Sequence, residues 1–263
     1  MTDRIRIAQG TGIERIEAAF RGNAFAPHRH DTSALGLTLH GVQTFRYRGE
    51  VRYSAPGNII VLHPDEVHDG GAATEDGLRY RMLYLPPERL IDALGRRDLP
   101  FVASPVFSDP ALWASLADAM RDLDGELDDL HCAELLSAVA DGLSRHARLR
   151  QAGGVRVDET AVRRACDFLQ TCHGQPVTSA DLEAVTGLGR FALARQFRAR
   201  LGTSPHRYLV MRRLQEARAL IRAGRPLADI ALETGFADQA HFTRHFKTAH
   251  GMTPGRWAAL SRG

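Results

Sequence analysis

The chain has 263 residues, 44% of them hydrophobic and 25% charged, with a formal net charge of +3. That is enough ordinary globular sequence to bury one large core or two average ones. No apolar run approaches the roughly 18–20 residues that span a bilayer, which excludes a helical membrane protein. The amino terminus lacks the apolar core and small-residue cleavage site of a secretory signal, so a cytoplasmic location is expected.

From Asn23 to about Leu85 the chain reads as strands and turns. Short alternating segments such as LGLTL, TFRYR and IIVL are separated by His-Gly, Arg-Gly-Glu and Ala-Pro-Gly-Asn breaks, as in a small barrel or sandwich. Four histidines fall in this stretch. His28 and His30 form an HxH pair, and His63 and His68 come from a later strand and turn. If folding brings them together, they make a polar effector-binding site. His28, His30 and His68 are then candidate ligands for a divalent metal such as Zn, Ni or Fe. Tyr80, Met82 and Tyr84 alternate along LRYRMLYL and are expected either to line the same cavity or to serve as core, with Tyr80 the candidate effector-binding residue.

After Pro86 and Pro87 the periodicity turns helical. ALWASLADAMRDL puts Leu112, Leu116, Ala119 and Leu123 on one face. HCAELLSAVADGLSRHARL does the same with Leu135, Leu136, Val139, Leu143 and Ala147. Such stripes serve as core or as the contact surface of a homodimer. Cys132, Cys166 and Cys172 are scattered with no CxxC pair, so neither a disulfide framework nor a cysteine zinc site is expected.

Gly153 and Gly154 interrupt both periodicities, so residues 151–157 read as a linker between domains 1–150 and 158–263. The charge divides at the same place. Residues 158–263 carry 16 Lys or Arg against 9 Asp or Glu, net +7, and the remainder carries 18 against 22, net −4. The carboxyl-terminal part alone has the field of a polyanion binder.

This part reads as short helices throughout, with Thr178 or Ser179 as a cap, a helix from about Arg190 to Leu201, a longer one from Pro205, and another from Gln239 to His250. It also repeats itself. GLGRFALARQFRARLGTSPHRY returns as GFADQAHFTRHFKTAHGMTPGRW, pairing Leu193 with Phe242, Arg195 with Arg244, Phe197 with Phe246, and Pro205 with Pro254 at an offset of 49. Each copy is a short helix, a glycine turn and a second helix with apolar residues four apart. This is the helix-turn-helix pattern, whose second helix enters the major groove of double-stranded DNA. Arg198, Arg200 and Lys247 suit phosphate contacts, which hold register without choosing sequence.

Residues 158–263 resemble the DNA-binding domain of AraC/XylS-family transcription regulators across GLGRFALARQFRARLGTSPHRYL, RRLQEARALI and LADIALETGFADQAHFTRHFKTAHGMTPGRW. The resemblance implies that Arg190, Phe191, Ala194 and Arg195 of the first recognition helix, and Gln239, Ala240, His241, Thr243 and Arg244 of the second, sit at the groove. FAPHRHDTSALGLTLHGVQTFRYRGE and APGNIIVLHPDEVHDG are similar to the cupin-like sensor domain of such regulators. The fold expected is therefore an all-β cupin-like barrel with flanking helices, followed by an all-α double helix-turn-helix domain. The function implied is effector-dependent regulation of transcription, activation being favoured, with RNA polymerase as a further partner. Cupin metal sites usually add a glutamate shortly after HxH, and here Asp31 or Glu66 would have to substitute. No nucleophile with an oriented base, phosphate-cradling glycine loop or paired-carboxylate site is present, so catalysis is not expected. The competing reading is a metal-dependent cupin enzyme or metal sensor carrying a DNA-binding appendage.

Overall fold

A computed structural model describes residues 3–10, 12–95, 99–147 and 156–261. The chain divides into two compact units, 1–150 and 151–262. The expected linker, 151–157, falls for most of its length outside the described residues.

The first unit is built on two antiparallel sheets. The strands are β1 (Arg4–Gly10), β2 (Ile13–Phe20), β3 (Asn23–His28), β4 (Ser33–His40), β5 (Gln43–Tyr47), β6 (Glu50–Ser54), β7 (Ile59–Leu62), β8 (His68–Ala72), β9 (Leu78–Leu85) and β10 (Val106–Phe107). One sheet runs β1-β2-β9-β4-β7-β10 and the other β3-β8-β5-β6. The hairpin of β1 and β2 lies before the stretch read as strands from sequence. β1 alternates Arg4 and Arg6 with Ile5 and Ile7, but β2 buries Arg15 and Glu17, so the hairpin as a whole lacks a simple apolar alternation. Yet β2 pairs with β9 over seven residues and extends the larger sheet.

The two faces of β4 and β9 differ in partner. Leu35, Leu37, Leu83 and Leu85 point into a core completed by α1 (Pro87–Leu94), α2 (Pro110–Ala119) and α3 (Asp129–His146). Leu112, Leu116, Leu135, Leu136, Val139 and Leu143 all belong to that cluster. The helical stripes thus cover the outer face of the sheet, each buried leucine contributing about 1.5–3 kcal/mol. Arg15 of β2, itself buried, anchors the helical layer by donating to the carbonyls of Ala119 (3.0 Å), Asp122 (2.8 Å) and Gly125 (2.5 Å). These include carbonyls that the end of α2 would otherwise leave unsatisfied.

The opposite face of the larger sheet meets the smaller one. Phe20 packs edge-on to Phe25 across the sheets at 5.1 Å, and the buried hydroxyls of Thr38 and Ser54 share a hydrogen bond of 2.8 Å.

The second unit is all helical: α4 (Glu159–Thr171), α5 (Ser179–Thr186), α6 (Arg190–Leu201), α7 (Pro205–Arg222), α8 (Leu227–Glu233), α9 (Gln239–His250) and α10 (Pro254–Ser261). Thr178 caps α5 through a reciprocal capping box with Asp181. Gly187 and Gly235 close α5 and the α8 turn in the left-handed region, at φ 71° and 81°. A side chain is disfavoured there, which explains why both copies place glycine at the turn. Leu193 and Phe197 of α6 and Phe242 and Phe246 of α9 are all buried, at 0–1% exposure. Pro205 and Pro254 each open the next helix. α4 packs on α5, α6 and α7, whereas α8 and α9 pack on each other and on α7. The 18-residue α7 is a rod of about 27 Å shared by both copies.

Candidate ligand pocket and nucleic-acid interface

Strand register assembles the histidine cluster. His28 on β3 is the pairing partner of His68 on β8, and Tyr47 on β5 pairs with His68 from the other side. His30 lies just beyond the end of β3. The His28 and His68 ring centroids are 4.3 Å apart, those of His30 and His68 4.9 Å, and those of His28 and His30 6.3 Å. All three residues are buried. Each Nδ1 lies against a backbone carbonyl: His28 on Ala26 (2.9 Å), His30 on Thr32 (2.9 Å) and His68 on Glu66 (3.0 Å). A carbonyl only accepts, so each Nδ1 carries the proton and each Nε2 is an acceptor. Burial, aided by the neighbouring imidazole, pulls the pKa of both His28 and His68 down to about 3. His28 and His68 are therefore neutral across the physiological range.

Two of the expected members are placed differently. His63 is drawn away from the cluster: it stacks on Phe101 at 5.3 Å, and its Nε2 accepts the N–H of Val102 at 3.1 Å. It holds the 99–105 segment to the barrel instead of lining the interior. Tyr80 is buried on the interior face of β9, opposite Ala18 and Thr38, and burial raises its phenol pKa well above 10.0. The tyrosine that touches the cluster is Tyr84, whose ring meets His30 edge-on at 5.1 Å. Phe25, at 5.7 Å from His28, completes the aromatic wall. Tyr84 is one of the three alternating residues expected at the cavity, whereas Phe25 carries no such sequence signal; period 2 identifies a face but not which end of the strand another loop will reach.

An open cleft of about 280 Å³, lined by Pro27, Arg46, Arg48, Glu66, Val67 and His68 among others, leads to the cluster at His68. Arg48, at φ 51°, donates to both carboxylate oxygens of Glu66 (2.5 and 3.0 Å), with its guanidinium over Tyr47 at 4.7 Å and Phe101 at 4.4 Å. Glu66, one of the two carboxylates expected to substitute in a metal site, is paired with Arg48. Among the described residues, no group of three or more His, Cys, Asp or Glu is arranged to hold a metal ion. The donor set suits a ligand offering hydrogen-bond donors to neutral imidazoles.

On the helical unit, the repeat presents most of the anticipated side chains to solvent. Arg190, Phe191, Arg195 and Arg198 of α6 are exposed, Phe191 at 75%, and Ala194 is half-buried between them. Arg190 also lies against Glu183 of α5 at 3.4 Å. On α9, Gln239, Ala240, Arg244 and Lys247 are exposed and Thr243 is half-buried.

Arg200 and His241 depart from expectation. The Arg200 guanidinium donates to Glu159 of α4 at 2.5 Å and its side chain is only 11% exposed, so it ties α4 to α6 and is withdrawn from the phosphate-facing surface. His241 turns back on its own helix: its ring packs on Phe236 at 5.6 Å and its Nε2 bonds to His245 at 2.9 Å. Asp238 caps α9 by accepting from the His241 N–H at 2.6 Å, which fixes the first turn that carries Gln239 and Ala240.

Comparison with known proteins agrees with this geometry in both halves. Residues 10–140 match the AraC-like ligand binding domain, and residues 182–259 match a helix-turn-helix domain. The HTH-type transcriptional regulator YbfI of Bacillus subtilis is 27% identical over 234 residues, covering 86% of this chain and 85% of that protein. The HTH-type transcriptional activator RhaS of Escherichia fergusonii is 25% identical over 253 residues, covering 91% and 89%. The arabinose operon regulatory protein of Escherichia coli is 25% identical, covering 86% and 80%. Among solved structures, ToxT of Vibrio cholerae superposes with a TM-score of 0.71 over 96% of this chain and 100% of its own; at 12% identity the likeness is one of fold. Matches that run in this order through both units mean that the chain belongs to the AraC family: it is a DNA-binding transcription regulator with an amino-terminal ligand-binding domain.

Proposed function

We propose that this regulator is a cytoplasmic, non-enzymatic activator whose β-domain takes a small molecule rich in hydroxyl or ammonium donors. The observation that carries the ligand class is the tautomer of the three histidines. With Nδ1–H held by carbonyls, His28, His30 and His68 present Nε2 as the acceptor, and the low basicity of His28 and His68 keeps those two from turning into cations. Ligand binding shifts regulation only through unequal affinity for two states of the protein.

In this reading α6 and α9 enter successive major-groove turns, about 34 Å apart, with α7 as the spacer. Arg195 and Arg244 act as base readers, and Arg198 and Lys247 as phosphate contacts. RNA polymerase and a second copy of the chain are the further partners. RhaS, described as an activator, matches over nearly the whole length, which favours activation. No helix of the described residues is long and apolar enough to cross a membrane.

The test is a screen of polyols, amines, carboxylates and divalent metals by thermal shift on the full chain, followed by footprinting. Polyols or amines are expected to stabilise the wild type and to lose effect in His68→Phe. Stabilisation by metal alone, abolished in His28→Gln, would replace this ligand class with a metal sensor. Footprints should cover two half-elements and vanish in the Arg195→Ala, Arg244→Ala double variant.

A further inference from the structure

The second recognition helix carries an imidazole pair. His241 and His245 stand one turn apart on α9, with Nε2 atoms 2.9 Å apart and ring centroids at 4.6 Å, inclined by 75°. The Ala237 N–H donates to His241 Nδ1 at 3.3 Å. The His241 proton therefore sits on Nε2 and is donated to Nε2 of His245. Phe236 backs both rings, at 5.6 Å and 5.7 Å, so neither imidazole is free to swing inward. Both residues are half-buried, not sealed, and remain within reach of solutes.

Two nitrogens 2.9 Å apart, each at the usual imidazole–metal distance of about 2.0–2.1 Å from a common ion, subtend about 90° at that ion. A right angle is the cis relation in octahedral and square-planar complexes; a tetrahedral ion would need the nitrogens farther apart. We propose that His241 and His245 form a two-point chelating site for a late divalent transition metal of the Ni²⁺ or Cu²⁺ class, with water filling the other positions. On binding, the Nε2 proton of His241 passes through solvent to Nδ1, so the imidazole stays neutral and the long Ala237 hydrogen bond is given up for a metal–nitrogen bond. His245 already holds its proton on Nδ1 and needs no change.

The site is separate from the ligand pocket, which belongs to the other unit, and does not depend on the proposed effector class. Chelator-treated full-length protein would be titrated with NiCl₂ by calorimetry. The wild type is expected to show a binding event that weakens at least tenfold in His245→Gln and in His241→Gln and persists in the His28→Gln, His68→Gln double variant. Unchanged nickel binding in His245→Gln would overturn the proposal, as would the absence of any binding to the wild type. Because losing the His241 ring could loosen its packing on Phe236, a second measurement uses the unaltered chain. Paramagnetic Ni²⁺ should broaden the ring proton signals of His241 and His245 first, and broadening confined to other histidines would equally refute the site.

Discussion

His28 and His68 show how burial turns a basic side chain into a pH liability. Their folded pKa of about 3 lies below the ordinary 6.5, so between those values the unfolded chain takes up protons that the folded chain refuses. Stability from this source is complete above pH 6.5 and falls as the pH drops. From pH 7 to pH 5 each residue costs about 2 kcal/mol, a large share of an ordinary domain's 5–15 kcal/mol. Urea unfolding of metal-free protein should therefore show the β-rich unit losing about 2–4 kcal/mol over that interval. The loss should be roughly halved in His28→Gln, and an equal pH dependence in that variant would contradict the account. Arg200 and Arg198 make a contrasting pair two residues apart. Arg200→Ala should destabilise the helical unit by about 1–3 kcal/mol through loss of its bond to Glu159. Arg198→Ala should leave the melting temperature unchanged and lower the slope of DNA affinity against salt by about one. Sequence could not separate the two: both are arginines near the end of α6, and only the position of α4 tells which one is engaged.

At the level of elements, the two glycine turns are alike in conformation but unequal in surroundings. Nothing lies within 4 Å of a Cβ added at Gly187, whereas one at Gly235 would meet the Arg213 guanidinium at 3.0 Å. Arg213 is held there by the carbonyls of His173 (2.7 Å) and Gln175 (2.9 Å). Gly187→Ala should cost about 1–2 kcal/mol for its left-handed backbone. Gly235→Ala should cost more, because the arginine that joins α7 to the preceding segment must also move; equal losses in chemical denaturation would argue against that contact. The helices of the second unit were legible because caps, turn glycines and four-residue spacing are local. α6 and α9 begin and end at the expected residues. The β1–β2 hairpin was not, since β2 buries Arg15 and Glu17 instead of alternating apolar with polar residues, and it gains its meaning only when it pairs with β9.

Across the whole molecule, charge and repeat place the DNA-reading work in residues 158–263, whose net +7 contrasts with −4 elsewhere. The two copies share a scaffold and differ in what they expose. α6 offers Arg190, Phe191 and Arg195, and α9 offers Gln239, Ala240 and Arg244. Base-pair changes made separately under each half-element should reveal different preferences, with Arg195→Ala and Arg244→Ala each costing about 1–3 kcal/mol at its own half only. Quantitative mobility shifts on singly altered sites would refute this if both variants lost discrimination at the same positions.

The sequence by itself determined the two-unit order, the repeated helix-turn-helix and most of its exposed residues, because helical periodicity, turn glycines and net charge are properties of neighbouring residues. Only the tertiary structure decided which histidines meet. Cross-strand register pairs His28 with His68 forty residues apart, brings Tyr84 rather than Tyr80 to His30, and takes His63 to Phe101 and Val102. It likewise turned Arg200 from surface to support, through a partner on α4 that no local pattern encodes.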